Sequence, residues 1–392
     1  MTSIPHSLEQ AFVSTIRGPR ARLHFPDRIV DLGESSSPVV FEARVKCRGF
    51  WDRLLARGNL GLGECFMDEG FVPEKGELHE FLTLLLRNKL NVKLAKSPRL
   101  VLLGAWLRLR DTLRGKAGNI AAHYDIGDDL YQAFLDESLA YSCGYAVSHG
   151  DSLAAMQRQK FERICRKLEL APGESLLDIG SGFGGLLLHA VSQHGAKGHG
   201  ITNSSAHARL AMKRAANEGI ALNVVHGDYG GIQGCYDKVV SVGMLEHVPR
   251  GEYGKYFRTV ARSLSDAGLG LVHFIGCNSR ENLHDPFIQR YIFPGSNQPR
   301  LSEVCEGLEK NGLYILDVEN TVRQYRLTAL RWLENFRAQQ GRLDTEKYDA
   351  RFRRMWEYYL HCGVAAATAS ESALYQVLFA KDRGRPMPLA RV

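Results

Sequence analysis

The part of the chain that follows Asp151 alternates apolar, strand-like runs with longer amphipathic segments, and this alternation constrains the fold more than any other feature. The strand-like runs read SLLDIG, KGHGIT, NVVHGDY, YDKVVSVGMLEHV and GLGLVHFIG. Strands that alternate with helices of this length form right-handed βαβ units and a parallel sheet. We therefore predict an α/β fold, in which ligands bind beyond the carboxyl ends of the strands.

Polar side chains follow the fourth run at the point where its strand should end. Glu246 and His247 come directly after the apolar residues, and His273 lies on the next strand. Two interpretations compete, because these side chains either are ordinary loop residues or line a site. The predicted sheet places all three at its carboxyl edge, where such a site would lie.

A glycine-rich turn, DIGSGFGG, follows the first run and has the GxGxxG spacing at Gly180, Gly182 and Gly185. Glycines allow a loop backbone to press against a ligand at a helix N-terminus, although a tight turn without a ligand has the same pattern. The spacing fits either a nicotinamide dinucleotide or S-adenosylmethionine. Asp178, two residues before the first glycine, favours the methyl donor.

The ends of the next two strands bear on the same choice of cofactor. A dinucleotide fold needs an acidic residue for the ribose at the end of the second strand, but GHGITNSS contains none. Methyltransferases often have an acidic residue there as well, so this absence weakens both readings. The third strand ends in HGDY, where we expect Asp228 either to cap a turn or to contact an adenine.

The N-terminal part of the chain has a different pattern and predicts a small α+β domain over residues 1–86. The segments ARLHFPDRIVDLG and VVFEARVKC read as two strands separated by the turn cluster GESSSP. The segment CRGFWDRLLARGN reads as a short helix that ends at Gly58. The segment LGLGECFMDEGFV reads as a glycine-rich connection.

A basic segment with interleaved leucines follows this domain, although the net charge of the whole chain is only +7. Its single acidic residue is Asp111, and its nine basic residues are Arg87, Lys89, Lys93, Lys96, Arg99, Arg108, Arg110, Arg114 and Lys116. Such a segment suits an anionic membrane surface, at about 1 kcal/mol for each basic residue. It would also suit nucleic acid, which we do not predict as a partner, and a solvated helix with its leucines in the core is an equal alternative.

Cysteine spacing and hydropathy bound the remaining possibilities. None of the eight cysteines lies in a CxxC pair, so we predict neither a zinc site nor a disulfide framework. Scattered thiols fit a reducing cytoplasm, and the N-terminus lacks the order of a signal peptide. The run LVLLGAWL is far shorter than the roughly 20 residues that span a bilayer.

Six sequence blocks together resemble the cyclopropane-fatty-acyl-phospholipid synthases. They read HYDIGDDLYQAFLDESLAYSCGY, LLDIGSGFGG, VVSVGMLEHV, HDPFIQRYIFPG, QYRLTALRWLENF and FRRMWEYYLHC, and they span the chain from about Ala121 to Lys381. The N-terminal segment GNLGLGECFMDEGF also resembles the first domain of the longer bacterial members. The resemblance implies a Rossmann-like class I methyltransferase domain with a smaller N-terminal α+β domain.

The resemblance also implies a reaction and a catalytic set. Members transfer a methyl group to the cis double bond of an acyl chain, and a bound bicarbonate then removes a proton as the ring closes. The positions that match the bicarbonate site are Cys143, Glu246, His273, Ile275 and Tyr325. Glu246 is then one wall of an anion site, whereas His247, on the opposite side of the chain, is a structural residue.

The cofactor pocket is less completely matched. Tyr141, Ser142 and Thr202 match cofactor contacts in the family, and His207 stands where members usually have a glutamine. The glycine loop usually reads with cysteine and tryptophan, but here contains Ser181 and Phe183. The predicted cofactor-binding residues are Tyr141, Ser142, Asp178, Gly180, Gly182, Thr202, His207 and Asp228.

Together these observations predict a two-domain enzyme with a basic linker over residues 87–120 and a catalytic domain over residues 121–392. We expect a homodimer in the cytoplasm, peripheral to the inner face of the membrane, that acts on unsaturated phospholipid. The alternatives are a relative that makes methyl- or methylene-branched chains, a nicotinamide oxidoreductase and a catalytically silent lipid-binding protein. We expect residues from about Asn278 to Arg342 to cover the acyl chain.

Overall fold

A computed structural model describes residues 6–89, 127–278 and 285–386 of the chain. Most of the predicted basic segment therefore lies outside the described residues. Residue contacts divide the chain into two compact units. The first comprises Met1–Gly127, Leu283–Pro294 and Phe336–Glu371, and the second comprises Asp128–Asn282, Gly295–Asn335 and Ser372–Val392. Residues 336–371 thus group with the N-terminal unit, whereas the limits predicted from sequence placed them in the catalytic domain.

The N-terminal stretch contains two layers of short elements. In chain order these are α1 (His6–Val13), β1 (Arg20–His24), β2 (Ile29–Leu32), β3 (Val39–Val45), α2 (Phe50–Arg57), α3 (Asn59–Met67), β4 (Phe71–Lys75) and α4 (Leu78–Arg87). The four strands form one sheet in the order β2-β1-β3-β4. Stacked phenylalanines form the core of this unit, such as Phe41 on β3 and Phe81 on α4, whose ring centroids lie 5.1 Å apart.

Two local predictions for this unit were wrong. ARLHFPDRIVDLG is a hairpin and not a single strand. Pro26 and Asp27 form a turn, which is closed by a hydrogen bond of 2.8 Å from Phe25 N to Arg28 O. LGLGECFMDEGFV is helix α3 followed by β4 and not a loop. Its glycines serve close packing, since a Cβ on Gly61 would lie 2.2 Å from the carbonyl oxygen of Arg53.

The remaining elements, most of them in the second unit, alternate as the sequence predicts. In chain order they are α5 (Asp128–Phe134), α6 (Leu153–Lys167), β5 (Ser175–Ile179), α7 (Gly185–His194), β6 (Lys197–Thr202), α8 (Ser205–Asn217), β7 (Leu222–His226), β8 (Tyr236–Val242), α9 (Tyr253–Ser263), β9 (Leu264–Gly276), α10 (Leu301–Glu309), β10 (Tyr314–Asn320), α11 (Val322–Gln339), α12 (Ala350–Ala369) and β11 (Ala373–Ala380). Side chains cap several helix starts; the Ser152 hydroxyl, for example, accepts a hydrogen bond from Ala155 N at the start of α6.

Seven strands form one sheet in the order β10-β11-β9-β8-β5-β6-β7. The five predicted strands, β5 to β9, pair in parallel, which confirms the predicted α/β fold. Strands β10 and β11 add antiparallel pairs that the sequence analysis missed. Because α10 and β10 belong to this sheet unit, the segment that begins near Asn278 is not simply a cover over the acyl chain.

Two apolar cores cover the two faces of this sheet. The chain order reverses between β5 and β8, whose neighbouring carboxyl ends therefore form the crevice in which ligands of such sheets bind. Within the described part of the chain, no helix combines the length and the apolar character that a membrane span requires.

Candidate active site

Two loops meet at the carboxyl ends of β5 and β8. The first begins at Gly180, whose φ of +87° lies in the left-handed region that favours glycine. The second runs through Met244 into a short 3₁₀ turn, Leu245–His247. A Cβ on Gly180 would lie 2.6 Å from Met244 Cγ, so the glycine permits the close approach of the two loops.

Glu246 presents a buried carboxyl group at this edge. Its Oε1 accepts a hydrogen bond of 2.5 Å from the backbone N of Ile275 on β9. Its Oε2 is buried and has no hydrogen-bond partner among the described residues. Burial raises the pKa of Glu246 to about 7, although the bond from Ile275 opposes this shift. The side chain is 8% exposed, so the predicted wall of a site is built as a buried acid.

His273 lies on β9 two residues before Ile275, so both side chains project from the same face of the strand. Its Nδ1 lies 3.1 Å from Gln376 Nε2 on β11. Gln376 Oε1 accepts a hydrogen bond of 2.8 Å from Lys167 Nζ, which fixes the amide with its nitrogen toward the imidazole. An amide nitrogen only donates, so Nδ1 accepts and the ring carries its proton on Nε2.

The neutral state of this imidazole follows from its surroundings. Burial, together with the charges of Lys160 and Lys167, lowers the pKa of His273 to about 3. Its Nε2 is buried and has no hydrogen-bond partner in the described residues. The site therefore contains a neutral N–H donor that is desolvated and available to a ligand.

Cys143 and Tyr325 come together through Thr328. The Thr328 hydroxyl accepts a hydrogen bond of 3.0 Å from Gly144 N and lies 3.6 Å from Cys143 Sγ. Tyr325 precedes Thr328 by three residues on α11, so the two occupy the same helix face. Burial raises the pKa of Cys143 to about 12, and the thiol is neutral at physiological pH. A neutral thiol is a poor nucleophile, because the thiolate is the reactive form of cysteine.

Lys160 is a buried cation that the sequence analysis missed. It is 1% exposed, and its Nζ donates a hydrogen bond of 2.8 Å to the Ser142 hydroxyl. Burial lowers its pKa to about 8. A sequence signal existed, because Lys160 interrupts the i, i+4 apolar stripe formed by Met156 and Ile164 on α6.

Asp178 lies at the end of β5, just before the glycine loop. Burial raises its pKa to about 7, and the charge of Lys160 opposes that shift. Its Oδ1 is buried without a hydrogen-bond partner among the described residues. A Cβ on Gly182, whose φ is +51°, would meet no neighbouring heavy atom in the described chain within 4 Å. An orphaned acceptor beside open space at a glycine loop fits a bound cofactor.

Aromatic rings line the other side of this loop. The Tyr141 ring lies 5.4 Å from that of Trp332, which in turn lies 6.2 Å from that of Tyr325. Two of the three departures from the family pattern contact each other, since the ring centroids of Phe183 and His207 are 4.1 Å apart. The sequence did not predict this contact, because the two residues lie on different elements.

Three other predicted residues lie at neighbouring strand ends. Thr202 ends β6 and is buried, and its hydroxyl accepts a hydrogen bond of 3.3 Å from Ser204 N. Asp228 follows β7 and is exposed, and its Oδ1 bonds Gly230 N and Lys255 Nζ, each at 2.8 Å. Asp228 therefore caps a turn, and its contact with an adenine stays a prediction. His247 is exposed, and its structural role stays a prediction.

The structure thus brings together Glu246, Ile275 and His273 at one strand edge. It separately brings together Cys143 and Tyr325 through Thr328. Lys160 bonds Ser142, the residue before Cys143, and its charge acts on His273 and Asp178. The catalytic and cofactor residues predicted from sequence are therefore electrostatically coupled through a lysine that the prediction lacked.

Comparison with known proteins identifies the family of this chain. The family model described as mycolic acid cyclopropane synthetase matches residues 112–377. The cyclopropane-fatty-acyl-phospholipid synthase of Escherichia coli K12 is 34% identical over 352 residues, which cover 89% of this chain and 90% of that protein. A Pseudomonas putida protein named "Probable fatty acid methyltransferase" is 33% identical over 68% of this chain and 70% of its own.

Among solved structures, a similar one is the mycolic acid cyclopropane synthase CmaA1 complexed with SAH and CTAB. It has a TM-score of 0.61 and 26% identity, and the match covers 67% of this chain and 96% of that one. The family model and the Escherichia coli relative each cover well over half of this chain. On this evidence, the chain belongs to the mycolic acid cyclopropane synthetase family.

Proposed function

We propose that this chain transfers the methyl group of S-adenosylmethionine to the cis double bond of an unsaturated phospholipid acyl chain and forms a cyclopropane ring. The observation that carries the proposal is the pair of buried, orphaned polar atoms, Glu246 Oε2 and His273 Nε2, in a member of this family. Buried polar atoms are almost always hydrogen-bonded, so an orphaned pair at a ligand-binding edge calls for a polar ligand.

S-adenosylmethionine would supply an electrophilic methyl group. The residues that would hold it lie around the glycine loop, where Asp178 offers a desolvated acceptor and Gly182 leaves open space. Tyr141, Ser142, Thr202 and His207 stay proposed contacts. Family membership favours this cofactor over a nicotinamide dinucleotide.

We assign the orphaned pair to a bound bicarbonate. Glu246 is half protonated near neutral pH, and an approaching anion favours its protonated form, so Oε2 would donate to the anion. His273 Nε2–H would add a donor without positive charge, and Tyr325 would complete the set. The neutral Cys143 thiol would add another by turning from the Gly144 carbonyl oxygen, to which it donates at 3.1 Å. Neutral donors hold an anion while leaving it basic enough to accept a proton. The base itself would be the bicarbonate.

The aromatic rings have a separate task in this proposal. A methylated alkene carries positive charge, which aromatic faces stabilise and water would trap as an alcohol. Tyr141, Trp332 and Tyr325 form a contiguous aromatic wall, and Trp332 and Tyr325 are buried. Such a wall excludes water and offers π-electron density at the same place.

The direct test incubates the purified protein with unsaturated phospholipid vesicles, bicarbonate and methyl-labelled S-adenosylmethionine, followed by NMR of the extracted lipid. We expect label in high-field cyclopropane protons. NMR is required because a ring and a methylene branch have the same mass. Transfer of label to a branched or olefinic methyl position would favour the fatty acyl methyltransferase alternative, which the Pseudomonas putida relative suggests. Absence of label from lipid would reject both reactions and leave the silent lipid-binding alternative.

Membrane association and assembly are further parts of the proposal. The basic segment between residues 87 and 116 would place the enzyme on anionic phospholipid at the cytoplasmic face of the membrane. We also propose a homodimer formed through the N-terminal domain, which sedimentation of the full chain tests directly. A monomer at all concentrations would reject the dimer without affecting the proposed reaction.

A further inference from the structure

Four side chains with metal-binding atoms converge between α6 and α7, outside the proposed active site. Glu162 and Cys165 come from α6, and His189 and His194 come from α7. Glu162 Oε2 lies 3.0 Å from His194 Nε2 and 3.4 Å from His189 Nε2. The ligand atoms of Cys165, His189 and His194 all lie within 4.8 Å of one another. We propose that these four side chains bind a zinc ion, although the spacing of the cysteines along the sequence predicted none.

The geometry suits tetrahedral coordination. Zinc binds nitrogen and oxygen at about 2.0–2.2 Å and sulfur at about 2.3 Å, so tetrahedral ligand atoms lie roughly 3.3–3.6 Å apart. The distances from Glu162 Oε2 to the two imidazole nitrogens, 3.0 and 3.4 Å, lie just below and just inside the lower end of that range. Cys165 Sγ lies within 4.8 Å of both imidazole ligand atoms and would supply the fourth ligand. One sulfur, two nitrogens and one oxygen form a ligand set that suits zinc better than calcium or magnesium.

Hydrogen bonds already orient the carboxylate for such a site. Arg166 Nε donates to Glu162 Oε1 at 2.7 Å, and Glu162 Oε2 faces the two imidazoles. Cys165 is buried beside them, and zinc would displace its thiol proton on binding.

A second cluster among the described residues is a weaker candidate. Glu77, His79 and His361 lie close together in the N-terminal unit. However, the Arg337 guanidinium donates to both carboxylate oxygens of Glu77 at 3.0 Å and lies 3.1 Å from His361 Nε2. A guanidinium already neutralises this cluster and would repel a metal ion, whereas Arg166 contacts only the outer oxygen of Glu162.

The position of the four ligands indicates a structural role for zinc. Helix α7 begins at Gly185, directly after the glycine loop, and its last residue is His194. Helix α6 carries Lys160, which bonds Ser142. A zinc ion would join the two helices that flank the proposed cofactor loop, at the end of α7 opposite that loop. It would stabilise the fold without contacting substrate, so this inference does not depend on the proposed reaction.

The test uses full-length protein with any affinity tag removed, treated with a chelator and then titrated with zinc against a chromophoric competitor. We expect one equivalent to bind and the Tm to rise by about 5 °C or more at excess zinc. Cobalt in place of zinc should give a thiolate-to-metal charge-transfer band. Cys165→Ala should abolish that band, and His194→Ala should weaken zinc binding more than about 100-fold.

Matched control variants are Cys235→Ala and His149→Ala, which remove an exposed cysteine and an exposed histidine elsewhere in the chain. Both should retain the wild-type zinc affinity and the cobalt band. Glu162→Gln, at a partly exposed position, provides a third ligand variant if Cys165→Ala is poorly folded. The proposal is overturned if the wild type binds no zinc equivalent, or if binding is unchanged in the ligand variants.

Discussion

At the scale of single residues, the two oxygens of Glu246 have different surroundings. Oε1 is fixed by Ile275 N, and Oε2 is buried without a partner in the described residues. Because the pKa of this carboxyl is about 7, we predict that apparent bicarbonate affinity falls as pH rises through neutrality. Glu246→Gln, a neutral isostere, should flatten this dependence. The measurement is turnover against bicarbonate concentration on either side of neutral pH, with free bicarbonate matched.

The same substitution has a consequence for stability that requires no bicarbonate. The pKa of Glu246 in the folded protein lies above its ordinary value of 4.5. The favourable contribution of this carboxyl to the stability of the fold is therefore fully present below pH 4.5 and is lost as pH rises through about 7. Glu246→Gln should therefore raise the Tm by several degrees above neutral pH and have little effect in acid. Equal Tm changes at both pH values would show that the buried carboxyl is not desolvated in the folded protein.

Lys160 supports a second prediction at this scale. Its charge holds down the pKa of Asp178, and its ammonium group bonds Ser142. In Lys160→Met, Asp178 should be protonated at neutral pH, and S-adenosylmethionine affinity should fall by about tenfold or more. Part of this loss should be recovered at alkaline pH, where Asp178 ionises again. Calorimetric titration across pH measures both effects.

A matched control for Lys160→Met is Lys213→Met, which removes an exposed lysine from α8. It should bind S-adenosylmethionine as the wild type does at each pH. A purely structural role for Lys160 would lower the Tm and the affinity equally at every pH. That outcome would refute the electrostatic coupling between Lys160 and Asp178.

At the scale of elements, the close approach of the loops after β5 and β8 gives a prediction about Gly180. Alanine there would adopt a left-handed conformation and place its Cβ 2.6 Å from Met244 Cγ. We expect Gly180→Ala to lose about 2–4 kcal/mol of unfolding free energy, together with turnover, because Met244 leads directly to Glu246. Denaturant unfolding and the methyl-transfer assay measure the two effects.

The control for Gly180→Ala is Gly173→Ala, which separates strain from crowding. Gly173 has a similar φ of +84°, but an added Cβ would meet no neighbouring heavy atom in the described chain within 4 Å. It should lose only about 1 kcal/mol and retain turnover. Equal losses of unfolding free energy in the two variants would mean that crowding against Met244 does not contribute to the need for glycine at position 180.

The elements also show which parts of the fold could be predicted from sequence. Strands β5 to β9 were predictable, because helices α7, α8 and α9 alternate with them along the chain. Edge strand β10 is half-buried along its length and has no long apolar run, so its pattern is weak. Strand β11 is wholly buried but follows the alanine-rich end of α12 without a turn signal such as proline or glycine.

The site was predictable to a similar extent. Glu246 and His273 follow from their place at or near strand ends, whereas the roles of Cys143 and Tyr325 came from family resemblance alone. Gln376 and Lys160 act through tertiary contacts, since one orients His273 and the other bonds Ser142. No local sequence pattern identifies such partners, although a lysine within the apolar stripe of a helix, as at position 160, indicates a buried charge.

At the scale of the whole molecule, the net positive charge lies in one segment, most of which is outside the described residues. The chain has 50 basic and 43 acidic residues, and the segment from Arg87 to Lys116 has nine basic residues and one acidic residue. The net positive charge of that segment therefore exceeds that of the whole chain, and the remaining residues together are close to neutral. An anionic surface should attract the protein through this segment and not through its overall charge.

We therefore predict that the protein binds vesicles rich in anionic phospholipid and releases them as salt is added. Replacement of Arg108, Arg110 and Arg114 by glutamine should weaken vesicle binding roughly 100-fold, because each charge contributes about 1 kcal/mol. The same change in net charge at three exposed residues, Lys197, Arg209 and Lys213, should have little effect. Vesicle flotation measures both variants, and turnover on detergent-dispersed lipid should be unchanged in each. Equal weakening by the two triple variants would mean that net charge, and not this segment, directs the protein to the membrane.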